Sequence, residues 1–532
     1  MGVLDEVTGP VSQHFYQLST ASQIGALFAA FIVLSVVVNV AQQLLFKNPN
    51  EPPVVFHLFP IIGSTITYGM DPPRFFVENR EKFGNVFTFI LLGKKTTVYV
   101  GPEGNEFILN GKAKDVNAEE IYGVLTTPVF GKDVVYDCPN SKLMEQKRLI
   151  KAVLTTEAFK QYVPIISDET TSFFKKNADF KGASGIVDIS KKMGQLTIFT
   201  ASHCLQGKIC RDQFDEGIAD LYHDLDMGFT PINFMLPWAP LPQNRKRDQA
   251  RETVAKIYRD TIARRRKNAD SDEERNAQDI MHHLMNSTYK NGQPVPEHEI
   301  AHMMIALLMA GQHSSAATST WIMLRLASRP DIMEELYQEQ VRVLGSADKP
   351  LEYEDLSKLE LHTQVIKEIL RMHAPIHSIM RKVMQPMPVP GTKYVIPPTH
   401  TLMAAPGVSG NDSEFFPQPE LWEPHRWDAD SPLSPKMPTK NLDDEEKVDY
   451  GYGLISKGAS SPYLPFGAGR HRCIGEQFAY LQLQTITATV VRLFKFSNVD
   501  GSVGKVPGTD YSSLFSKALE PAKIRWEQRE KA

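Results

Sequence analysis

The stretch Pro465-Phe466-Gly467-Ala468-Gly469-Arg470-His471-Arg472-Cys473-Ile474-Gly475 decides the fold of this chain. Gly469 lies four residues before Cys473, and Gly475 lies two residues after it. Glycines on both sides let the backbone adopt positive φ and approach a large flat ligand without a Cβ clash. We therefore expect backbone N–H groups of this loop to point at the Cys473 sulfur. The alternative is a buried structural cysteine in a glycine-rich turn.

Three cationic side chains, Arg470, His471 and Arg472, directly precede the cysteine. Positive charge beside a cysteine favours the thiolate over the thiol. A thiolate can hold haem iron and push electron density toward oxygen, which favours O–O cleavage. The loop therefore predicts that Cys473 is an axial iron ligand.

The 532-residue chain has the composition of an ordinary globular protein, with 42% apolar and 23% charged residues. Its net charge of −4 gives no global basic field, which argues against a nucleic-acid partner. The four cysteines, Cys138, Cys204, Cys210 and Cys473, form no CxxC pair. This spacing argues against a disulfide framework or a zinc site and favours a reducing compartment.

An uncharged stretch near the N-terminus runs from Phe15 to Phe46, and its apolar heart runs from Ile24 to Val40. A membrane span needs about 17–25 such residues. The stretch is too long for a signal-peptide core and has no small-residue cleavage site. We therefore predict an uncleaved anchor, with a buried core helix as the alternative. Acidic residues precede the stretch and Lys47 follows it, so the positive-inside rule puts the bulk of the chain in the cytoplasm.

These features divide the chain into four predicted parts. Residues 1–23 form a lumenal or amphipathic segment, 24–46 the transmembrane anchor, 47–63 a proline-rich linker and 64–532 the catalytic domain. The prolines make the linker stiff and extended. We expect it to set the catalytic domain in a fixed pose on the membrane.

Hydrophobic periodicity predicts a mainly α chain with small β-sheets. Residues 86–92 and 96–100, joined through Gly93-Lys94-Lys95, predict a β-hairpin. A second hairpin is expected between Ser512–Phe515 and Lys523–Trp526. Residues 228–242 are apolar, aromatic and proline-rich, which is typical of a mobile lid or of an inter-helix loop.

The longest helical pattern runs from Ile300 to Leu326 and carries no charged side chain from Ala301 to Leu324, so we expect it to cross the core. It contains Ala310-Gly311-Gln312-His313-Ser314-Ser315. Glycine beside polar residues predicts a local opening of the helical hydrogen bonds. Beside a haem, such an opening forms an oxygen groove; the alternative is a set of satisfied core residues.

Glu368 and Arg371 lie three residues apart, on one face of a predicted helix. Arg426 follows about fifty residues later, in Pro424-His425-Arg426-Trp427. The three side chains can form a charge-assisted network. A surface ion pair is the alternative.

Four features taken in chain order resemble the cytochrome P450 family: residues 310–314, Glu368 with Arg371, Arg426, and the Phe466–Gly475 loop. A narrower set, comprising Tyr122, residues 125–131 and 136–140, Gly311–Ser315 and Gly228–Phe234, is similar to the sterol 14α-demethylases of filamentous fungi. The resemblance implies a cytochrome P450 fold with an N-terminal transmembrane helix, haem b as cofactor and Cys473 as its metal ligand.

The resemblance also implies roles for individual residues. Cofactor contacts through the haem propionates fall on Tyr122, Tyr136, Lys147, Arg381 and His471. The implied sterol pocket is lined by Tyr122, Leu125, Thr126, Phe130, Tyr136, Phe229, Phe234, Ala306, Ala310, Ile376, His377, Ser378 and Leu514. Ser314 would bond the reacting oxygen, and His313 and Asp226 would relay protons to it.

The implied reaction removes the 14α-methyl group of lanosterol or 24-methylenedihydrolanosterol by three successive oxidations, releasing formate, in ergosterol biosynthesis. It uses O2 and electrons from NADPH through a cytochrome P450 reductase, which docks near Arg470 and Arg472. Azoles are the implied inhibitors, and the implied location is the endoplasmic reticulum membrane, single-pass, with the catalytic domain facing the cytoplasm. The alternatives are a membrane monooxygenase acting on another lipid and a haem-binding or sterol-binding protein without catalysis.

Overall fold

The computed structural model describes residues 18–214, 216–269, 271, 279–436, 447–456 and 458–530. Residues 1–17, most of the predicted segment 1–23, lie outside the described residues. The helices are α1 (Thr20–Leu45), α2 (Thr65–Met70), α3 (Pro72–Phe83), α4 (Pro102–Leu109), α5 (Glu119–Phe130), α6 (Asn140–Lys151), α7 (Thr156–Lys176), α8 (Ile189–Gln206), α9 (Lys208–Arg211), α10 (Glu216–Asp226), α11 (Pro231–Met235), α12 (Pro242–Lys267), α13 (Ile280–Met285), α14 (Glu297–Ser328), α15 (Pro330–Leu344), α16 (Tyr353–Leu356), α17 (Glu360–Met372), α18 (Pro406–Ser409) and α19 (Glu476–Leu493).

The strands are short and form five separate sheets within the described residues. They are β1 (Val86–Leu91), β2 (Lys94–Tyr99), β3 (Val116–Asn117), β4 (Ser184–Asp188), β5 (Ile379–Val383), β6 (Met387–Pro388), β7 (Val395–Ile396), β8 (Thr401–Ala404), β9 (Lys447–Asp449), β10 (Leu454–Ser456), β11 (Phe494–Asn498), β12 (Thr509–Asp510), β13 (Lys517–Ala518) and β14 (Lys523–Gln528). The largest sheet has the order β1-β2-β8-β5-β3, and a second has the order β11-β14-β4. The predicted mainly α architecture with small sheets is confirmed.

Helix α1 is the predicted apolar segment. The Ser19 hydroxyl caps its first turn by accepting from the Ser22 N–H. Its 26 residues include a window of mean hydropathy 2.5, so it is long and apolar enough to cross a membrane by length and composition. Two polar side chains near its C-terminal end, Asn39 and Gln43, are bonded to the linker.

The linker is hydrogen-bonded both to α1 and to the largest sheet. Asn39 Nδ2 donates to the carbonyl oxygens of His57 and Leu58, at 2.9 Å each. Gln43 Nε2 donates to His57 O at 2.7 Å, and its Oε1 accepts from His57 N at 3.1 Å. Three residues before His57, Val54 forms a parallel bridge to Thr88 of β1. The end of α1 is therefore joined to the largest sheet through a hydrogen-bonded segment.

The predicted hairpin at residues 86–100 is confirmed as the antiparallel pair β1 and β2. Its two-residue turn, Leu92-Gly93, has φ values of 50° and 76°. Two left-handed residues in succession match the twist of a tight hairpin. The Leu92 N–H, freed by the turn, donates to Thr65 Oγ1 at 2.8 Å.

Helix α14 crosses the core and packs against α8, α12, α17 and α19. The predicted opening at residues 310–315 is wrong, because α14 runs unbroken from Glu297 to Ser328. Ser314 Oγ donates to Ala310 O at 3.0 Å and Thr318 Oγ1 donates to Ser314 O at 2.7 Å. These hydroxyls bond carbonyls one turn earlier, so they are satisfied without breaking the helix.

The second hairpin is partly wrong. Strands β12 and β13 pair on either side of residues 511–516, so the predicted strand Ser512–Phe515 lies in the loop of a shorter hairpin whose second strand is Lys517–Ala518. Strand β14 instead pairs with β11 and β4. The side chains of Ile524 and Trp526 on β14 are fully buried, so its apolar face belongs to the core sheet.

Candidate functional site

The cysteine loop wraps tightly before α19. Cys473 N–H donates to Phe466 O at 3.0 Å. Gly467 and Gly469 have φ values of 67° and 64°. A Cβ at Gly469 would lie 2.2 Å from Leu109 O, so only glycine fits there. The Gly475 backbone N–H bonds the Cys473 sulfur, as the sequence predicted.

The Cys473 thiol does not have the lowered pKa that the cationic loop predicted. Burial raises its pKa above the ordinary value, and the Gly475 N–H, Lys147 and Arg472 only partly oppose this. Arg472 is itself neutralised by Glu476, at 2.8 Å. A metal ligand at this position therefore gives up its proton when the metal binds, because the coordinating form is the thiolate.

An apolar cavity of about 440 Å³ lies between the cysteine loop and α14. The predicted site residues that line it are Tyr122, Thr126, Phe130, Tyr136, Phe229, Ala310, Ser314, Ile376, Arg381, His471, Cys473 and Leu514. A second concavity, of about 620 Å³, opens at the surface between α15 and α17 and is lined mainly by carboxylates. Only the first suits a flat apolar ligand beside a cysteine.

Five predicted pocket residues are outside this lining: Leu125, Phe234, Ala306, His377 and Ser378. Neighbouring helical residues are rotated by about 100°, so Leu125 packs in the core while Thr126 faces the cavity. In the extended segment after α17, Ile376 faces the cavity and His377 turns toward Tyr68 and Tyr511.

One end of the cavity carries positive charge, because the buried Arg381 lines it and the half-buried Lys147 lies against the cysteine loop, outside the lining. Lys147 Nζ donates to the carbonyl oxygens of Arg470 and Arg472, at 2.9 and 3.0 Å. Arg381 is only 3% exposed, and its Nη1 donates to Met380 O at 2.8 Å. Among the described residues, neither Lys147 nor Arg381 has a carboxylate partner. Burial, with Lys151 and Arg381 nearby, lowers the pKa of Lys147 to about 8.

The remaining predicted propionate contacts surround the same end. The rings of Tyr122 and Tyr136 stack with centroids 5.3 Å apart, and Tyr136 lies 5.9 Å from the His471 ring. The Met380 N–H donates to Tyr122 Oη at 2.9 Å. Burial, and then the charge of Arg381, holds the pKa of His471 well below its ordinary value. This end of the cavity therefore offers donors and cations to an anionic ligand.

Of the three predicted proton-relay residues, Ser314 alone is in the cavity lining. Ser314 lines the cavity, whereas His313 points away from it toward α10. His313 Nε2 lies 3.2 Å from Asp226 Oδ1, but the two atoms are not aligned for a hydrogen bond. Burial lowers the pKa of His313, and Asp226 only partly opposes this.

Glu368, Arg371 and Arg426 meet in a fully buried network. Arg371 forks onto the carboxylate of Glu368, with hydrogen bonds of 2.9 and 2.8 Å. Arg426 Nε and Trp427 Nε1 each donate to the same carboxylate, at 3.1 Å. The network ties α17 to the segment that precedes the cysteine loop.

The cytochrome P450 family profile matches residues 52–522 of this chain. The chain belongs to the cytochrome P450 family. The predicted family is thus confirmed, together with its haem-thiolate monooxygenase class. The cyanobacterial P450 CYP120A1, solved with retinoic acid bound, superposes with a TM-score of 0.73, covers 91% of this chain and all of its own, and is 19% identical, which supports the fold.

Curated relatives of this P450 extend over nearly its whole length. The sterol 14-alpha demethylase CYP51A of Gibberella zeae is 69% identical over 531 residues and covers all of both chains. The eburicol 14-alpha-demethylase of Uncinula necator is 61% identical, with 99% of this chain and all of its own aligned. The sterol 14-alpha demethylase cyp51A of Aspergillus fumigatus is 57% identical and covers 95% of this chain and 98% of its own. The predicted resemblance to fungal sterol 14α-demethylases is confirmed.

The P450 site fits a haem. The family holds haem iron through a cysteine thiolate, and Cys473 occupies the family's loop beside a cavity of suitable shape. Within the described residues, the buried Arg381 and the half-buried Lys147 have no carboxylate partner, and shielded charges of this kind are costly unless an anion joins them. The two carboxylates of a haem would supply those charges.

Sequence reasoning missed several lining residues of this P450, including Leu307, Ile379 and Phe515. Ile379 begins strand β5, and the sequence of this strand does not indicate which of its side chains face the cavity. Phe515 directly follows Leu514, which was predicted, so its position in the same turn was the available signal.

Proposed function

We propose that this P450 removes the 14α-methyl group of lanosterol or 24-methylenedihydrolanosterol by three successive oxidations and releases formate. The observation that carries the proposal is one apolar cavity lined both by Cys473 and by aromatic residues of the predicted sterol pocket. It occurs in a chain 69% identical over its full length to a sterol 14-alpha demethylase. We assign the reaction to ergosterol biosynthesis.

The cavity wall suits a sterol. Phe130 and Phe229 meet with ring centroids 5.9 Å apart, and Ile376 and Leu514 add aliphatic surface. A sterol carries one hydroxyl, so its binding comes mainly from apolar burial, worth about 25 cal/mol per Å². The two candidate substrates differ by one side-chain methylene, which an apolar pocket discriminates by only about 1–3 kcal/mol.

Haem b is the proposed cofactor, and when bound it supplies the activation of O2. Cys473 would ligate the iron. Lys147, Arg381 and His471, with the hydroxyls of Tyr122 and Tyr136, would hold the propionates. The lack of a carboxylate partner for Lys147 and Arg381 among the described residues supports this assignment.

The chain's own residues would deliver protons from solvent. The side chain of Asp226 is 25% exposed and that of His313 is 14% exposed. Because its pKa is lowered, the His313 imidazole is neutral at pH 7 and can accept a proton on the Asp226 side. It would pass a proton to Ser314 Oγ, which lines the cavity.

Electrons would come from NADPH through a cytochrome P450 reductase that docks on the basic face near Arg470 and Arg472. Helix α1 would hold the enzyme in the endoplasmic reticulum membrane as a single pass, with the catalytic domain in the cytoplasm. Azoles, whose ring nitrogen can ligate ferric iron, would inhibit it.

The test is turnover by the full chain in liposomes with a P450 reductase, NADPH and each candidate sterol. We expect equal amounts of 14-demethylated sterol and formate. Cys473→Ser abolishes both products, whereas Cys204→Ala, at a buried cysteine of α8 outside the cavity lining, keeps them. Consumption of NADPH without demethylated product would favour another lipid substrate. Absence of NADPH consumption in haem-loaded protein would favour a non-catalytic binding protein.

A further inference from the structure

Phe515 contacts His313 from the tip of a hairpin. Their rings stack with centroids 5.2 Å apart and an interplanar angle of 26°. The same phenyl ring meets Phe229 edge-on, at 5.7 Å and 86°. Phe515 also lines the cavity. One side chain therefore touches the cavity, the turn Met227–Phe229 that covers it and the histidine of the predicted relay.

The backbone on both sides of Phe515 is fixed. Before it, Leu514 N–H donates to Phe229 O at 3.4 Å. After it, Ser516 N–H donates to Pro375 O at 2.8 Å, and Ser516 Oγ donates to Ala374 O at 2.6 Å. Strands β12 and β13 close the loop. The position of the phenyl ring is therefore set by the fold.

By contrast, no aligned hydrogen bond at Nε2 fixes the orientation of the His313 ring within the described residues. Its Nε2 lies near Asp226 Oδ1, yet within the described part of the chain neither atom has an aligned hydrogen-bond partner. The charged and titratable groups that face the ring are Asp226 and His223 from α10 and Lys517 from β13. Packing, rather than a hydrogen bond, holds the imidazole in this orientation.

We propose that Phe515 is a positioning residue whose ring holds the imidazole of His313 toward Asp226 and links that orientation to the seating of Phe229 over the cavity. The inference rests on the proposed proton delivery through His313 and deepens it. Loss of the aromatic face lets the imidazole turn and admits water around it. Sterol binding then persists while proton delivery becomes inefficient.

The test compares Phe515→Leu with Phe515→Tyr, which keeps an aromatic face, and with Phe130→Leu. Phe130 is a matched control because it also packs against Phe229 in the cavity but does not stack on His313. Three quantities are measured: demethylated sterol formed per NADPH, the sterol-induced spectral shift, and deuterium exchange at C2 of the His313 ring, followed by mass spectrometry across pH.

For Phe515→Leu we expect the product formed per NADPH to fall roughly 10-fold, as for an impaired proton donor. The spectral shift with sterol persists. The exchange profile of His313 moves to higher pKa, because burial is the main cause of its lowered value. Phe515→Tyr forms as much product per NADPH as the wild type, which is the coupling of the reaction. Phe130→Leu weakens sterol binding without changing either the coupling or the exchange profile.

If Phe515→Leu weakens sterol binding as Phe130→Leu does, with unchanged coupling and unchanged exchange at His313, Phe515 is only part of the cavity wall and the proposal is wrong. Wild-type protein that demethylates no sterol would instead overturn the proposed function. The exchange measurement needs no turnover, so it still decides whether Phe515 holds His313.

Discussion

Arg426 Nε donates a hydrogen bond of 3.1 Å to Oε1 of Glu368, and both side chains are fully buried. Arg371 shares that carboxylate and also donates to the carbonyl oxygens of Gly410, Pro419 and Leu421. A buried carboxylate between two guanidinium groups is retained only when every donor is satisfied. The network therefore fixes the chain between α17 and the cysteine loop.

Replacing Glu368 should unfold this region. Glu368→Gln leaves two buried guanidinium groups without a charged partner, and breaking a buried pair in this way costs about 3–5 kcal/mol. Urea unfolding of the haem-loaded protein measures the loss. The exposed pair Arg74–Glu78, at 2.7 Å, provides the control, and Glu78→Gln should leave the unfolding midpoint unchanged. Equal effects of the two variants would contradict a structural role for the network.

Substitutions at Arg381 and at its neighbour Lys382 should differ sharply in their effect on haem retention. They are consecutive on β5, so their side chains point to opposite faces. Arg381 lines the cavity, whereas Lys382 Nζ donates to Pro398 O at 2.9 Å. A charge-assisted hydrogen bond is worth about 1.5–3 kcal/mol, so Arg381→Gln should speed haem loss about 10- to 100-fold. Transfer of haem to apomyoglobin measures this rate; Lys382→Gln with the same acceleration would refute the assignment.

Acid should destabilise the fold partly through His377. Burial lowers the pKa of His377 to about 4. The unfolded chain takes up this proton below its ordinary pKa of about 6.5 and the folded chain does not, so stability is full above 6.5 and is lost as pH falls toward 4. Between pH 7 and 5, the free energy of unfolding of His377→Asn should therefore fall by about 2 kcal/mol less than that of the wild type.

Replacing His425 should change the pH dependence of stability in the direction opposite to that of His377→Asn. Its pKa is raised because Glu335 and Asp428, at 2.9 and 3.0 Å, outweigh its burial. Its stabilisation is present below the ordinary pKa and is lost as pH rises through the raised folded value. His425→Gln should thus make the loss of stability on acidification steeper. Urea midpoints at pH 7 and 5 test both variants, and identical slopes in all three proteins would contradict the assignments.

The linker should loosen when Gln43 is replaced. Gln43→Leu keeps α1 apolar but removes the acceptor of the His57 N–H, at 3.1 Å. We expect faster amide exchange at His57, measured by hydrogen–deuterium exchange in nanodiscs. Gln42 is exposed on the same helix and forms no side-chain hydrogen bond within the described residues, so Gln42→Leu is the matched control. Unchanged exchange at His57 in Gln43→Leu would show that the linker does not depend on this contact.

Local chemistry made the cysteine loop and the hairpin predictable. Gly469 is required because a side chain there would meet Leu109 O, and the loop motif encodes that contact. The hairpin follows from the glycine between two β-prone runs, although its turn is Leu92-Gly93 rather than Gly93-Lys94-Lys95. The charge network was predictable from residue types, although its burial was visible only in the fold.

The sequence did not predict which side chains face the cavity or how strongly burial affects their pKa values. Whether Thr126 or Leu125 meets the cavity depends on the rotation of α5 against its neighbours. Counting nearby cations suggested a lowered pKa for Cys473, but burial outweighs them. The contact of Phe515 with His313 joins positions about 200 residues apart and left no local pattern.

The most direct measurement is a titration of the ferric, haem-loaded protein with lanosterol and with 24-methylenedihydrolanosterol, followed at the Soret band. A shift from low to high spin with either sterol means that it displaces water from the iron, as a 14α-demethylase requires. The sterol that binds more tightly is the preferred substrate. Absence of a shift with both sterols, in protein that still gives a thiolate–CO band when reduced, would leave a P450 and contradict the sterol assignment.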